Sequence, residues 1–144
     1  MNAPLYNSAI LRLAATIPHL DRLEKPDATI EKRSPVCGSR IAVDVILDGD
    51  GRVARLGQHV QACALGQASA ALMGAHVLGR TADELDVASA ALADYLAGKR
   101  DDPGDWPGLD IFAAARPHSA RHASIRLAFE AVAEAVHKAR DKNR

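Results

Sequence analysis

The feature that most constrains this chain is a period-two run that ends in a tight turn. Ile41, Val43, Val45 and Leu47 alternate with other residues, Asp44 and Asp48 among them, which is the pattern of a strand with one buried face. Asp48-Gly49-Asp50-Gly51 follows and supplies the residues that tolerate the backbone angles of a two-strand turn. Val53 to Val60 then reads as the return strand, so the pair is an antiparallel hairpin. Immediately after Ala62 the texture changes. Cys63 through Val77 is rich in Ala and Leu, lacks proline, and carries Leu65, Ala68, Leu72 and Ala75 at helical spacing. The hairpin therefore runs straight into a helix.

The remaining elements are fixed by their ends. Asn7-Ser8 caps a short amphipathic helix through Ile10, Leu11, Leu13 and Ala14, which Pro18 ends. Ala28 to Arg33 alternates weakly and reads as an edge strand whose charges oppose edge-to-edge pairing. Thr81 with Glu84 is a capping-box signature for a helix to about Ala97, closed by Gly98. Residues 101–108, with Pro103, Gly104 and Pro107, form a loop, and Leu109 to Ala115 a short helical turn. Ile125, Ala128, Phe129, Val132 and Val136 mark a last helix from about Ala120 to Ala139. The order predicts an α+β fold, a small three-stranded antiparallel sheet with helices packed on one face. At 144 residues, one domain over 1–144 is the expectation.

Composition removes several functions. Lys plus Arg equals Asp plus Glu at 18 each, so no general electrostatic pull toward nucleic acid or an anionic membrane exists. The longest apolar stretches fall far short of the ~20 residues that cross a bilayer, and no basic segment precedes an apolar signal core. A cytoplasmic location, with no nucleic acid and no membrane as partner, is expected. Two cysteines are not a disulfide framework, and a reducing compartment leaves both as thiols. Aromatic residues at 3% favour close-packed helices over an aromatic-lined ligand pocket.

The thiols are the candidates for chemistry. Cys37 lies in Ser34-Pro35-Val36-Cys37-Gly38-Ser39, between the edge strand and the secure strand, where Pro and Gly shape a connection that can present a side chain. Cys63 stands at a strand-to-helix junction, where free N–H groups and the helix dipole favour thiolate, the form that binds iron or zinc and attacks sulfur. A buried, inert role as a small hydrophobe is the ordinary alternative for either. His59 lies four residues before Cys63, and a Cys–His pair would suit a thiol enzyme, yet no third group or oxyanion arrangement accompanies it. His76 falls about 20 Å along the helix from Cys63, out of its reach. The run Lys99-Arg100-Asp101-Asp102 reads as a solvated connection, and Trp106 beside Pro107 as a loop anchor.

Four stretches together resemble a known family. Ser34 to Ile41 is similar to an Asn-Pro-x-Cys-Gly-Asp stretch, and Gln61 to Leu72 to a Gly-Cys segment followed by Ala-Ser. Gly79-Arg80-Thr81 matches a Gly-Lys-Thr helix start, and Arg121 to Val132 an Arg-x-x-Cys-x-x-Leu-x-Trp-x-Ala-Leu helix. These are motifs of the iron–sulfur cluster assembly scaffolds of the NifU N-terminal, IscU and SufU type, and the resemblance spans about residues 5–138. It implies a scaffold rather than an enzyme, with a cysteine desulfurase and apo-protein acceptors as partners. It also implies a transient 2Fe–2S cluster or zinc held by three cysteines and an aspartate.

The departures from that pattern are as informative. Cys37 and Cys63 are retained, Ser39 replaces the aspartate, and Ser124 stands at the third cysteine. Serine hydroxyls are poor ligands beside thiolate, imidazole or carboxylate, which disfavours a closed zinc site on these four positions. His122 or His118, near Ser124, can supply a nitrogen ligand; a surface or capping role is the commoner place for such a histidine. A cluster normally takes four protein ligands, so two thiols would need histidines, a second subunit of a homodimer, or a small thiol. The other reading is a metal-free family member, with no cofactor, acting as regulator or sulfur acceptor for a desulfurase. The family's Leu-Pro-Pro-Val-Lys chaperone segment is replaced by Ala115-Arg116-Pro117-His118-Ser119-Ala120, so a chaperone is not implied.

Overall fold

The computed structural model describes residues 6–35 and 38–142. Helix α1 (Ser8–Ala14) precedes three strands, β1 (Ala28–Arg33), β2 (Arg40–Leu47) and β3 (Val53–Gln61). Helices α2 (Ala64–His76) and α3 (Ala82–Leu96), two 3-10 turns (Leu109–Ala115 and Ser119–Arg121) and α4 (His122–Lys142) follow. The sheet is antiparallel in the order β1-β2-β3. Helix α4 packs over β1 and β2 and also against α2 and α3, so the sheet carries its helices on one face, as the element order predicts.

Local chemistry explains the ends. Asp48 Oδ1 accepts from the N–H groups of Asp50 and Arg52, an Asx-type lock on the β2–β3 turn. Asn7 caps α1, accepting from Ile10 N–H at 2.9 Å. The capping box at α3 is complete, with Thr81 Oγ1 accepting from Glu84 N–H and Glu84 accepting from Thr81 N–H. Trp106 is the anchor its position suggests: it is buried, donates Nε1–H to Leu72 O at 2.9 Å, and meets Phe129 edge-on.

Two expectations change. Pro18 does not end α1, which stops at the Ala15 cap. The segment from Pro18 instead runs beside β3 and crosses the sheet. His19 O accepts from Gln58 N–H at 2.8 Å, using a backbone group on the outer edge of β3. A Cβ on Gly57 would stand 2.6 Å from Asp21 O, so glycine is what lets the strap lie flat.

Nor does β2 bury only one face. Ile41 through Val45 are all buried, Asp44 included at 1% exposure. Arg22 donates to both Asp44 oxygens at 2.6 and 2.9 Å, Thr29 Oγ1 donates at 2.6 Å, and Leu23 N–H at 3.0 Å. A carboxylate can be buried there because four donors replace its water. The strap thus covers part of the face opposite the helices.

Candidate functional site

The site is built where three elements end. Strand β3 delivers Cys63 as the N-cap of α2, with extended backbone (φ −65°, ψ 170°) and no side-chain bond to the helix. The usual capping residues spend their side-chain oxygen on the helix N–H groups. Cys63 does not, which leaves its sulfur available. It lies 3.3 Å from Ser124 Oγ in the first turn of α4. Ser124 Oγ in turn lies 2.9 Å from Ser39 Oγ, just before β2.

Ser39 and Ser124 are 3% and 1% exposed, whereas Cys63 is half-buried. The three side chains form one chain of contacts from the interior to the accessible sulfur. Because each hydroxyl has one hydrogen and turns freely, the chain can point its donors toward the sulfur or away from it. A thiolate or persulfide anion, having no hydrogen to give, fixes the direction from Ser39 through Ser124 to sulfur.

Small residues on α2 permit this approach. A Cβ on Gly66 would meet Ser124 Oγ at 2.7 Å and Ala62 Cβ at 2.8 Å. Ser69, fully buried on the next turn, donates to Ile125 O at 2.5 Å and ties α2 to the start of α4. Sequence reasoning named neither residue as part of the site. The spacing Gly66-x-x-Ser69 on one helix face is the signal that was available.

Of the residues singled out from sequence, Cys63, Ser39 and Ser124 come together, and Cys37 lies outside the described residues. His122 Nε2 lies 2.9 and 3.0 Å from the carbonyls of Ala115 and Arg116. Carbonyls only accept, so this nitrogen carries the hydrogen and caps the end of the 3-10 turn Leu109–Ala115. His118 is exposed. His59 is exposed on β3 and makes no hydrogen bond to Cys63, and His76 is exposed and edge-on to Trp106. Among the described residues, no group of three or more His, Cys, Asp or Glu could hold a metal ion.

The donor set can be tested against a tetrahedral ion. Ligand atoms about 2.0–2.3 Å from a tetrahedral zinc ion stand roughly 3.3–3.8 Å from one another. The Cys63–Ser124 contact of 3.3 Å is at the short end of that range, and the Ser124–Ser39 contact of 2.9 Å is below it, a hydrogen-bond length. Two neutral hydroxyls are also poor metal ligands. These positions provide one strong ligand and two hydrogen-bonding groups.

The sequence matches no family model and no curated protein. Solved structures do match. A nitrogen-fixing NifU-like protein (N-terminal) from Brucella abortus is 37% identical, with 96% of each chain covered and a TM-score of 0.89. A putative iron–sulfur cluster assembly scaffold protein for the SUF system from Fervidobacterium islandicum AW-1 is 19% identical, with 92% of this chain and 96% of that one covered and a TM-score of 0.84. A hypothetical protein is 21% identical over 92% of this chain and 97% of its own, with a TM-score of 0.79. The last two show the shared fold.

Proposed function

This chain belongs to the NifU-like N-terminal family of iron–sulfur cluster assembly scaffolds, and we propose that it carries iron–sulfur cargo on the two thiols Cys37 and Cys63. The observation that carries the reading is the half-buried Cys63 sulfur, free of any capping duty and in contact with Ser124. Iron and sulfide, or a 2Fe–2S cluster, are cargo here rather than a resident cofactor. With two thiolates on the chain, the remaining two ligands come from outside, from a second subunit or a small thiol. Zinc would meet the same shortage of strong ligands.

Sulfur delivery follows from thiol chemistry. The Cys63 thiolate attacks the terminal sulfur of a persulfide on a cysteine desulfurase. A sulfur–sulfur bond forms at Cys63, the donor's sulfur–sulfur bond breaks, and the donor cysteine leaves as a thiolate that takes its proton from solvent; no net oxidation occurs. The persulfide anion then accepts the Ser124 hydroxyl hydrogen.

The second reading, a metal-free sulfur acceptor or regulator, draws on the same trio, because Ser39 and Ser124 are neutral hydroxyls, poor metal ligands that hydrogen-bond each other at 2.9 Å. Incubation with a cysteine desulfurase and cysteine, followed by mass measurement of the chain, tests sulfur acceptance. One added sulfur that disappears in Cys63→Ser is the expected result, and an unmodified chain overturns it. Sulfur acceptance without iron uptake would favour the metal-free reading.

A further inference from the structure

Burying a hydroxyl costs free energy unless it is hydrogen-bonded, and two lie in file behind the Cys63 sulfur. Ser124 is 1% exposed and Ser39 3%. Ser39 is held at the base of its loop, where its carbonyl accepts from Ser34 N–H at 2.8 Å and Gly38 N–H reaches Ser34 O at 3.2 Å. Ser124 is held in the first turn of α4. A serine on a helix commonly gives its hydrogen to a carbonyl one turn back. Ser124 does not: among the described residues its hydroxyl bonds to Ser39 Oγ at 2.9 Å and to Cys63 Sγ at 3.3 Å. Its one hydrogen therefore has two destinations. The neighbouring buried hydroxyl does not compete, because Ser69 spends its hydrogen on Ile125 O.

What stands on the sulfur decides between the two. A thiol brings a hydrogen of its own, whereas a persulfide anion brings none and has to be met by a donor. Its charge sits on the terminal sulfur, one sulfur–sulfur bond of about 2.05 Å beyond Sγ, and rotation about Cβ–Sγ can set that atom beside the same hydroxyl. Ser124 can turn its hydrogen there while its oxygen accepts from Ser39. A hydrogen bond to an anion is about twice as strong as one between neutral groups, and burial keeps water from competing for it. The same oxygen gives little to a metal ion, for which a neutral hydroxyl is a poor ligand.

We propose that the Ser39–Ser124 pair makes Cys63 select anionic sulfur over a metal cation: Ser124 is the group that touches the sulfur, and Ser39 is a positioning residue that acts through it. This rests on the reading above, in which Cys63 receives sulfur. The two serines, which cost the site its metal ligands, thereby gain a purpose in holding sulfur.

The test of sulfur holding needs neither a desulfurase nor a metal. In the Cys37→Ser chain, where Cys63 is the one thiol, sodium tetrasulfide supplies the sulfur: a sulfur–sulfur bond forms at Cys63, one breaks in the donor, and trisulfide leaves, with no net oxidation. Exchange with 2-mercaptoethanol then moves that sulfur between the two thiols at a fixed pH, and alkylation followed by mass measurement reads the partition. Ser124→Ala should lower the partition toward Cys63 about tenfold, as for a lost hydrogen bond to a charged group, and Ser39→Ala about threefold. Ser39→Ala in the Ser124→Ala background should change nothing further, because Ser39 acts through Ser124. Unchanged partition in both single variants, or losses that add as two separate packing defects would, overturns the proposal; should Ser124→Ala not fold, an unchanged partition in Ser39→Ala does so alone. Zinc affinity of the chain with both thiols, measured by chelator competition, should be no lower in Ser124→Ala than in the parent, and a fall overturns the selectivity. A pair that behaves as expected in a chain that takes no sulfur from a cysteine desulfurase would refute the delivery reading while leaving the role of the serines in place.

Discussion

Ser124 and Cys63, 61 residues apart in sequence, face each other with Oγ and Sγ 3.3 Å apart. Ser124 thus bridges the sulfur and Ser39 through a single neutral hydroxyl. With one hydrogen, that hydroxyl can donate to the sulfur only while it accepts from Ser39.

On the proposed reading, stronger ligands at these positions should create a metal site. In the double variant Ser124→Cys, Ser39→Asp, kept reduced so that the new thiol does not oxidise onto Cys63, thiolate and carboxylate replace neutral hydroxyls. Zinc affinity measured by chelator competition should rise at least about tenfold over the parent. Unchanged affinity would show that the trio does not have coordination geometry.

Gly66 is the spacer that lets α4 reach the sulfur. Gly66→Ala places a Cβ within 2.8 Å of both Ser124 Oγ and Ala62 Cβ. The ordinary gain from Gly to Ala inside a helix is reversed by this overlap. Unfolding in urea should show a loss of about 1–3 kcal/mol, and a more stable variant would contradict the close approach.

Asp44 makes the fold acid-sensitive. Burial pushes its carboxyl up, but bonds from Arg22, Thr29 and Leu23 N–H outweigh burial and hold it below the ordinary aspartate range. Its folded value is therefore below its unfolded value of about 3.9. The stabilisation is fully present above that unfolded value and is lost as pH falls through the folded one. Asp44→Asn should flatten this part of the stability-against-pH curve below about pH 4. Asp44→Ala, which takes the acceptor from Leu23 N–H and Thr29 Oγ1 and empties a buried site while the half-exposed Arg22 turns to solvent, should cost about 2 kcal/mol near neutral pH. An Asn variant with the parent's acid profile would remove Asp44 as the cause.

Much of this was legible in the sequence because it is local. The alternation of Ile41, Val43 and Val45, the Asp48–Gly51 turn and the Thr81–Glu84 box each specify an element within a few residues, and each element is present. The edge strand Ala28–Arg33 was readable from weak alternation and charge. What sequence spacing alone did not disclose depends on distant partners. Asp44 looks like a solvent-facing residue until Arg22, 22 positions away, is folded over it. Ser39 and Ser124 meet across 85 positions, and only the motif resemblance placed them at one site. The bonds of His122 to Ala115 O and Arg116 O depend on the path of a 3-10 turn that residue spacing does not specify.

The central claim is that both thiols carry the cargo. Its most direct test is anaerobic reconstitution with iron, sulfide and a small thiol, followed by measurement of iron, zinc and acid-labile sulfide per chain in the parent, Cys37→Ser and Cys63→Ser proteins. The account predicts iron and sulfide on the parent and loss of both in each variant. Equal contents in all three proteins, or none in any, would contradict it.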